Sequence, residues 1–118
     1  MDRKKELKLQ YKLMKPQMGI FIIRSKESNK CYIQATANLR GAMNGAIARL
    51  KGGLHPNREL QKEWDKLGAE SFIAEILDYL EYDKDEAKTD YKGELAVLQM
   101  IWEEKLAKKN MKFYKKRL

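Results

Sequence analysis

The most distinctive chemistry in this sequence is a run of basic side chains near the carboxyl end. Residues 105–118 contain seven Lys or Arg and no Asp or Glu, with Phe113 and Tyr114 interleaved. Such a segment can contact phosphate groups, although a solvated basic tail is the alternative reading. The side chains that we predict to contact nucleic acid are Lys105, Lys108, Lys109, Lys112, Lys115, Lys116 and Arg117.

The net charge of +8 on 118 residues is concentrated at the two ends. Residues 1–15 carry six basic and two acidic side chains, whereas residues 16–104 carry 12 basic and 15 acidic ones. Association with a polyanion depends on the local density of Lys and Arg. The central region is therefore not a basic patch, and its charge favours a structural or partner-binding role there.

The remaining composition excludes several classes of protein. Cys31 and His55 are single residues of their types, so we expect neither an internal disulfide nor a structural zinc site. No window approaches the roughly 18 uninterrupted apolar residues of a spanning helix, and residues 1–15 do not resemble a signal peptide. We therefore expect one cytoplasmic domain without a membrane partner.

Hydrophobic periodicity predicts the elements that must position these side chains. Residues 3–14 have helical spacing that Pro16 ends, which predicts a leading helix. Two β-rich runs at 19–24 and 31–34, separated by a polar stretch, predict a hairpin, and 71–77 predicts a third, central strand.

Three further helices follow from capping residues and apolar stripes. Asn38 is a good N-cap for a helix to about Leu50, and Asn57 can cap a second helix that Gly68 ends. A long helix is predicted from Asp85 to about Lys109. Its stripe consists of Tyr91, Leu95, Leu98, Trp102 and Leu106.

This order of elements, with Gly19-Ile20-Phe21 in the first strand and Tyr32-Ile33-Gln34 in the second, resembles the GIY-YIG nuclease family. The resemblance continues through residues 35–39, 55–61 and 64–68 and covers roughly residues 18–102. It implies an α+β fold, with a small three-stranded antiparallel sheet flanked by helices. The implied domains are an N-terminal helical extension (1–17), the GIY-YIG-like domain (18–104) and a basic C-terminal end (105–118).

The resemblance also implies DNA phosphodiester cleavage that depends on one divalent metal ion. The second-motif tyrosine is present as Tyr32, whereas the first-motif tyrosine is replaced by Phe21 and the motif glycine by Gln34. The helix arginine, expected ten residues after the motif tyrosine, falls on Ala42. Arg40 is the nearest catalytic candidate, although two residues turn it about 200° around a helix.

Two further candidates come from the same resemblance. His55 matches a family position in the loop before the second helix and is a candidate for substrate contact. Glu94 is the candidate ligand for Mg²⁺ or Mn²⁺, although a single carboxylate makes a weak site unless phosphate oxygens complete it.

Three functions remain open from the sequence. The first is a nucleic-acid-binding domain with weak or lost cleavage, since the helix arginine and motif glycine are replaced. The second is an active metal-dependent DNA endonuclease that uses Tyr32 and Glu94, with Arg40 or Arg49 brought in by an altered helix register. The third is a protein-interaction scaffold without affinity for nucleic acid.

Overall fold

The computed structural model describes residues 15–114, which form a mixed sheet and three α-helices. The predicted N-terminal helix over residues 3–14 therefore lies outside the described residues. In chain order the elements are β1 (Met18–Ser25), β2 (Lys30–Thr36), α1 (Leu39–Lys51), α2 (Arg58–Leu67), a 3₁₀ turn (Ala69–Ser71), β3 (Phe72–Leu80), α3 (Lys92–Lys108) and β4 (Lys112–Phe113). No helix in this part of the chain is long and apolar enough to cross a membrane.

The sheet has the order β3-β1-β2-β4, with β1 antiparallel to both of its neighbours. The predicted three-stranded antiparallel sheet is present, but β1 and not β3 is its central strand. A fourth strand, β4, adds to β2 in parallel through Lys112 and Tyr114, whose N–H groups donate to Asn29 and Cys31 carbonyls at 2.8 and 2.9 Å. A two-residue strand in a charged segment has no hydrophobic period, so the sequence did not reveal it.

Alternation along β1 divides the core between the two faces of the sheet. Phe21 and Ile23 pack with α1 and α2, whereas Ile20 and Ile22 pack with Cys31, Ile33 and α3. Helices therefore cover both faces, which explains why β1 is an unbroken apolar run. Cys31 is fully buried, and burial raises the pKa of its thiol to about 11.

Both predicted N-caps are confirmed. The Asn38 side-chain oxygen accepts from the N–H of Gly41 at 3.0 Å, and the Asn57 oxygen accepts from the N–H of Leu60 at 3.1 Å. Gly68 ends α2 with a φ of 89°, a conformation that favours glycine. These signals fix where α1 and α2 begin and where the loop that carries His55 lies between them.

The long helix begins at Lys92 and not at Asp85. Local hydrogen bonds explain the difference: the carboxylates of Asp83, Asp85 and Asp90 each accept from a backbone N–H two residues later, at 2.9 to 3.0 Å. Such bonds offer the backbone an alternative to the helix. Tyr91, predicted inside the helix, is instead its N-cap residue and packs with Met18.

Gly19 offers a direct test of how closely β1 and β3 pack. A Cβ at this position would lie 2.1 Å from the backbone oxygen of Asp78, which a side-chain rotation cannot relieve. We expect Gly19→Ala to lower the free energy of unfolding by about 3 kcal/mol or more, measured by urea denaturation.

Gly45→Ala is the matched control, because a Cβ there meets nothing within 4 Å and the site lies inside α1. This variant should be neutral or more stable by up to about 1 kcal/mol. Equal effects of the two substitutions would contradict the close backbone contact.

Candidate functional site

A cleft of about 440 Å³ lies between β2, α1 and the loop before α2. Its walls come from alternate residues of β2, from one face of α1 and from the turn that leads into α2. The residues that line it are Tyr32, Gln34, Thr36, Asn38, Gly41, Ala42, Gly45, Ala46, Arg49, His55 and Pro56. The cleft thus brings together Tyr32 and His55, two of the predicted site residues, and the cationic side chain of Arg49.

Strand residues two apart point to the same face of a sheet, so Tyr32 and Gln34 of β2 both face the cleft. The Tyr32 hydroxyl donates a hydrogen bond to Oε1 of Gln34 at 2.9 Å. Burial raises the pKa of the Tyr32 hydroxyl, and the positive charge of Arg49 partly opposes this. The hydroxyl is therefore protonated at neutral pH and is engaged by the residue that replaces the motif glycine.

Phe21, which replaces the other motif tyrosine, is a core residue. Its side chain is fully buried, and its ring lies 6.4 Å from the Tyr32 ring, between centroids, in a tilted arrangement. The ring that the motif requires is present, but it carries no polar group toward the cleft.

His55 is buried rather than exposed on the loop surface. Its ring meets the Tyr32 ring edge to face at 5.0 Å, and its Nδ1 accepts a hydrogen bond from the N–H of Asn57 at 3.0 Å. Burial lowers the His55 pKa, and the charge of Arg49 lowers it further. The imidazole is thus neutral at pH 7, with its proton on Nε2, because Nδ1 is the acceptor.

Arg49 is the arginine that lines the cleft. It lies seven residues beyond Ala42, and seven residues bring a helical side chain to within about 20° of the same face, about 10.5 Å further along the axis. The exposed Arg40 is not among the lining residues. Arg49 forms no ion pair with any carboxylate in residues 15–114, so its charge acts on Tyr32 and His55.

Glu94 lies away from the cleft wall. Its Oε2 pairs with Nζ of Lys88 at 2.7 Å, so the carboxylate is neutralised by the segment that precedes α3. Of the residues on α3, Gln99 and Glu103 line a second cavity of about 360 Å³ together with Tyr32. Sequence reasoning did not select either residue, although both lie on the helical stripe that faces β2.

Gln99 is held in this second cavity by hydrogen bonds to β2 and within α3. Its Oε1 accepts from the N–H of Ala35 at 3.3 Å, and its Nε2 donates to Oε1 of Glu103 at 3.2 Å. An amide of α3 is therefore held in the cavity that Tyr32 also lines.

These donors do not fit a divalent metal ion. Mg²⁺ binds through carboxylate oxygens together with water and phosphate, and the cleft lining contains no Asp or Glu. Within residues 15–114 no three His, Cys, Asp or Glu side chains are grouped closely enough to hold a metal. The prediction of Glu94 as a ligand thus has no partner residues in the described part of the chain.

The predicted nucleic-acid-binding residues fall in two groups. Lys105, Lys108, Lys109 and Lys112 lie at the end of α3 and in β4, whereas Lys115, Lys116 and Arg117 lie outside the described residues. Lys108 pairs with Glu104 at 3.3 Å, but both side chains are largely exposed, so this pair restrains the lysine weakly. Nζ of Lys105 lies 4.8 Å from the centre of the Trp102 ring.

Comparison with known proteins gives a likeness in structure. No family model and no curated protein sequence matches this chain. The catalytic domain of the homing endonuclease I-TevI is similar, with a TM-score of 0.63, 25% sequence identity, and coverage of 82% of this chain and 95% of that one. A point mutant of the catalytic domain of this intron endonuclease is also similar, with a TM-score of 0.63, 23% sequence identity, and coverage of 84% of this chain and 92% of that one.

The likeness covers about four fifths of this chain. The element order that the sequence predicted and the sheet that carries Gly19-Ile20-Phe21 beside Tyr32-Ile33-Gln34 agree with it. On this evidence the chain has the fold of a homing-endonuclease catalytic domain, which supports membership of the GIY-YIG nuclease family.

Proposed function

We propose that this chain is a nucleic-acid-binding domain of the GIY-YIG fold in which phosphodiester cleavage is weak or lost. The observation that carries the proposal is the composition of the cleft: Arg49 is its cation, His55 is neutral, and no carboxylate lines it. Such a site can hold a phosphate but lacks the groups that cleavage requires.

Binding is supported by the charge that faces the cleft. Arg49 has no carboxylate partner among the described residues, and guanidinium groups bind phosphate oxygens in bidentate geometry. Tyr32 and His55, next to it, supply neutral hydrogen-bonding groups. The basic residues from Lys105 onward would add contacts to the nucleic-acid backbone.

Weak cleavage is supported by what surrounds the tyrosine. Phosphoryl transfer depends on positioning a nucleophile and neutralising charge on the phosphate oxygens. The Tyr32 hydroxyl is bonded to Gln34 and has a raised pKa, and Ala42 stands at the position expected for the charged stabiliser. Loss of one such stabiliser costs about 3 kcal/mol or more, which is on the order of a hundredfold in rate.

An active endonuclease is the second candidate, and Arg49 is the observation that favours it. This side chain shares a helix face with Ala42, so a substrate that shifts along the cleft would meet a guanidinium group. The fold match to a catalytic domain is compatible with either function.

The first experiment measures binding and cleavage together. Labelled duplex, branched and single-stranded DNA are incubated with Mg²⁺ or Mn²⁺, and anisotropy is followed at 50 and 200 mM salt. We expect no cleavage, and binding that weakens on the order of a hundredfold for about four phosphate contacts. Cleavage that disappears in Tyr32→Phe would establish the second candidate; absence of binding would leave a protein-interaction scaffold.

The role of Arg49 is tested by comparing Arg49→Ala with Arg40→Ala, which removes the same charge from the same helix outside the cleft. Arg49→Ala should weaken binding about tenfold, equivalent to ~1.4 kcal/mol, and lower the slope of log affinity against log salt by about 1. Arg40→Ala should change affinity less than threefold, equivalent to ~0.7 kcal/mol. Equal losses would mean that total charge, and not the cleft, determines binding.

A further inference from the structure

The loop between α1 and α2 exposes a leucine next to the cleft. Leu54 is 77% exposed, which is more than any other large apolar side chain in residues 15–114. Single exposed leucines are common on protein surfaces, so exposure alone assigns no role to this residue. Two further features distinguish Leu54: its backbone is held on both sides, and the charge around it along the chain is positive.

The turn that ends α1 fixes the backbone before Leu54. The N–H of Leu54 donates to the Arg49 carbonyl at 2.8 Å, and the N–H of Gly53 donates to the Leu50 carbonyl at 3.2 Å. These two bonds, with a φ of 75° at Gly53, form a Schellman motif. An apolar residue after the glycine of this motif commonly packs back on its own helix. In α1 the residues at those positions are Arg49 and the exposed Ala48, so Leu54 finds little apolar surface there.

Gln61 of α2 holds the backbone after Leu54. Its Oε1 accepts from the N–H of His55 at 2.9 Å, and its Nε2 donates to the Leu50 carbonyl at 2.9 Å. Gln61 is buried, so these bonds are shielded from water. The loop therefore presents Leu54 from a fixed backbone. Arg49 and His55, to which Leu54 is joined by a hydrogen bond and a peptide bond, both line the cleft.

Residues 49–62, which we call the basic loop surface, carry a local positive charge. Their basic side chains are Arg49, Lys51, Arg58 and Lys62. All four are exposed, and none forms an ion pair within residues 15–114. Glu59, the acidic residue of the segment, pairs with Lys30 of β2 at 2.7 Å. The rest of residues 16–104 carries 8 basic and 14 acidic side chains, so this local charge is hidden in the total of the central region.

We propose that the basic loop surface binds the phosphates of duplex DNA and that Leu54 inserts between base pairs at a mismatch. Apolar side chains, leucine among them, wedge between neighbouring base pairs in proteins that kink DNA, while basic side chains hold the backbone. Unstacking costs least where a base is mispaired, so a duplex with a mismatch is the preferred ligand. This inference rests on the proposed function, since it requires nucleic-acid binding, and it adds the class of DNA.

Fluorescence of 2-aminopurine tests the insertion with the full-length chain. This base analogue is placed beside a single mismatch in a duplex, because its fluorescence rises when it loses a stacking neighbour. We expect the protein to raise this fluorescence and to bind the mismatched duplex about tenfold more tightly than the same duplex without a mismatch. Leu54→Ala should abolish the rise in fluorescence and reduce the preference for the mismatch to less than about twofold.

Met100→Ala is the matched control. Met100 is 67% exposed, but it lies on α3, which packs on the face of the sheet opposite α1. This variant should keep both the preference for the mismatch and the rise in fluorescence. Leu54→Ala retains every charge, so the slope of its log affinity against log salt should match that of the wild type.

The outcomes separate this inference from the proposed function. Salt-dependent binding by the wild type without a preference for the mismatch, or without a rise in fluorescence, would overturn the insertion of Leu54 and leave the proposed function standing. Equal losses in Leu54→Ala and Met100→Ala would also overturn the insertion, because the effect would then not be specific to the loop. Failure of the wild type to bind either duplex would overturn both, as expected if an acidic protein occupies the basic loop surface.

Discussion

The central strand β1 is bonded along both edges and covered by helices on both faces, and the remaining architecture follows from this double burial. Each of its large side chains contributes about 1.5–3 kcal/mol by leaving water, so a charged replacement anywhere in the strand would be costly. Gly19 lets the β3 backbone approach β1, and Phe21 fills the face below α1 and α2. Tyr32 of β2 pairs with Ile23 of β1, whose side chain packs on the α1 side of the sheet. The Tyr32 side chain therefore points toward α1 as well.

The same constraint separates the roles of the two motif positions. Phe21 is in the fully buried strand, where a phenyl ring packs without a polar group that needs a partner. Tyr32 is one strand further out, at the edge of the core, where its hydroxyl reaches Gln34 in the cleft. The two ring positions therefore help to build the core, whereas the polar lining of the cleft includes the Tyr32 hydroxyl, the neutral His55 imidazole and the Arg49 guanidinium group.

Much of the fold could be predicted from the sequence because its signals are local. The hairpin, both Asn caps and the glycine that ends α2 depend on nearby residues, and the structure confirms them. The sequence predicts a start of α3 that is seven residues too early. The aspartates that resemble the start of a helix instead accept hydrogen bonds from backbone N–H groups in the segment before it. The placement of Gln99 in the cavity that Tyr32 also lines, and of Glu94 beside Lys88, depends on how α3 packs on the sheet, and a linear sequence does not contain that information.

The single thiol of this chain lies in the interior of the sheet, on β2 between the strand pair and α3. Its high pKa leaves very little thiolate at neutral pH, and its burial excludes alkylating reagents from the sulfur. A reagent can therefore modify Cys31 only after β2 separates from α3 or from its neighbouring strands. The rate at which Cys31 is modified therefore reports opening of the central sheet, and it does not depend on motion of the loops around the cleft.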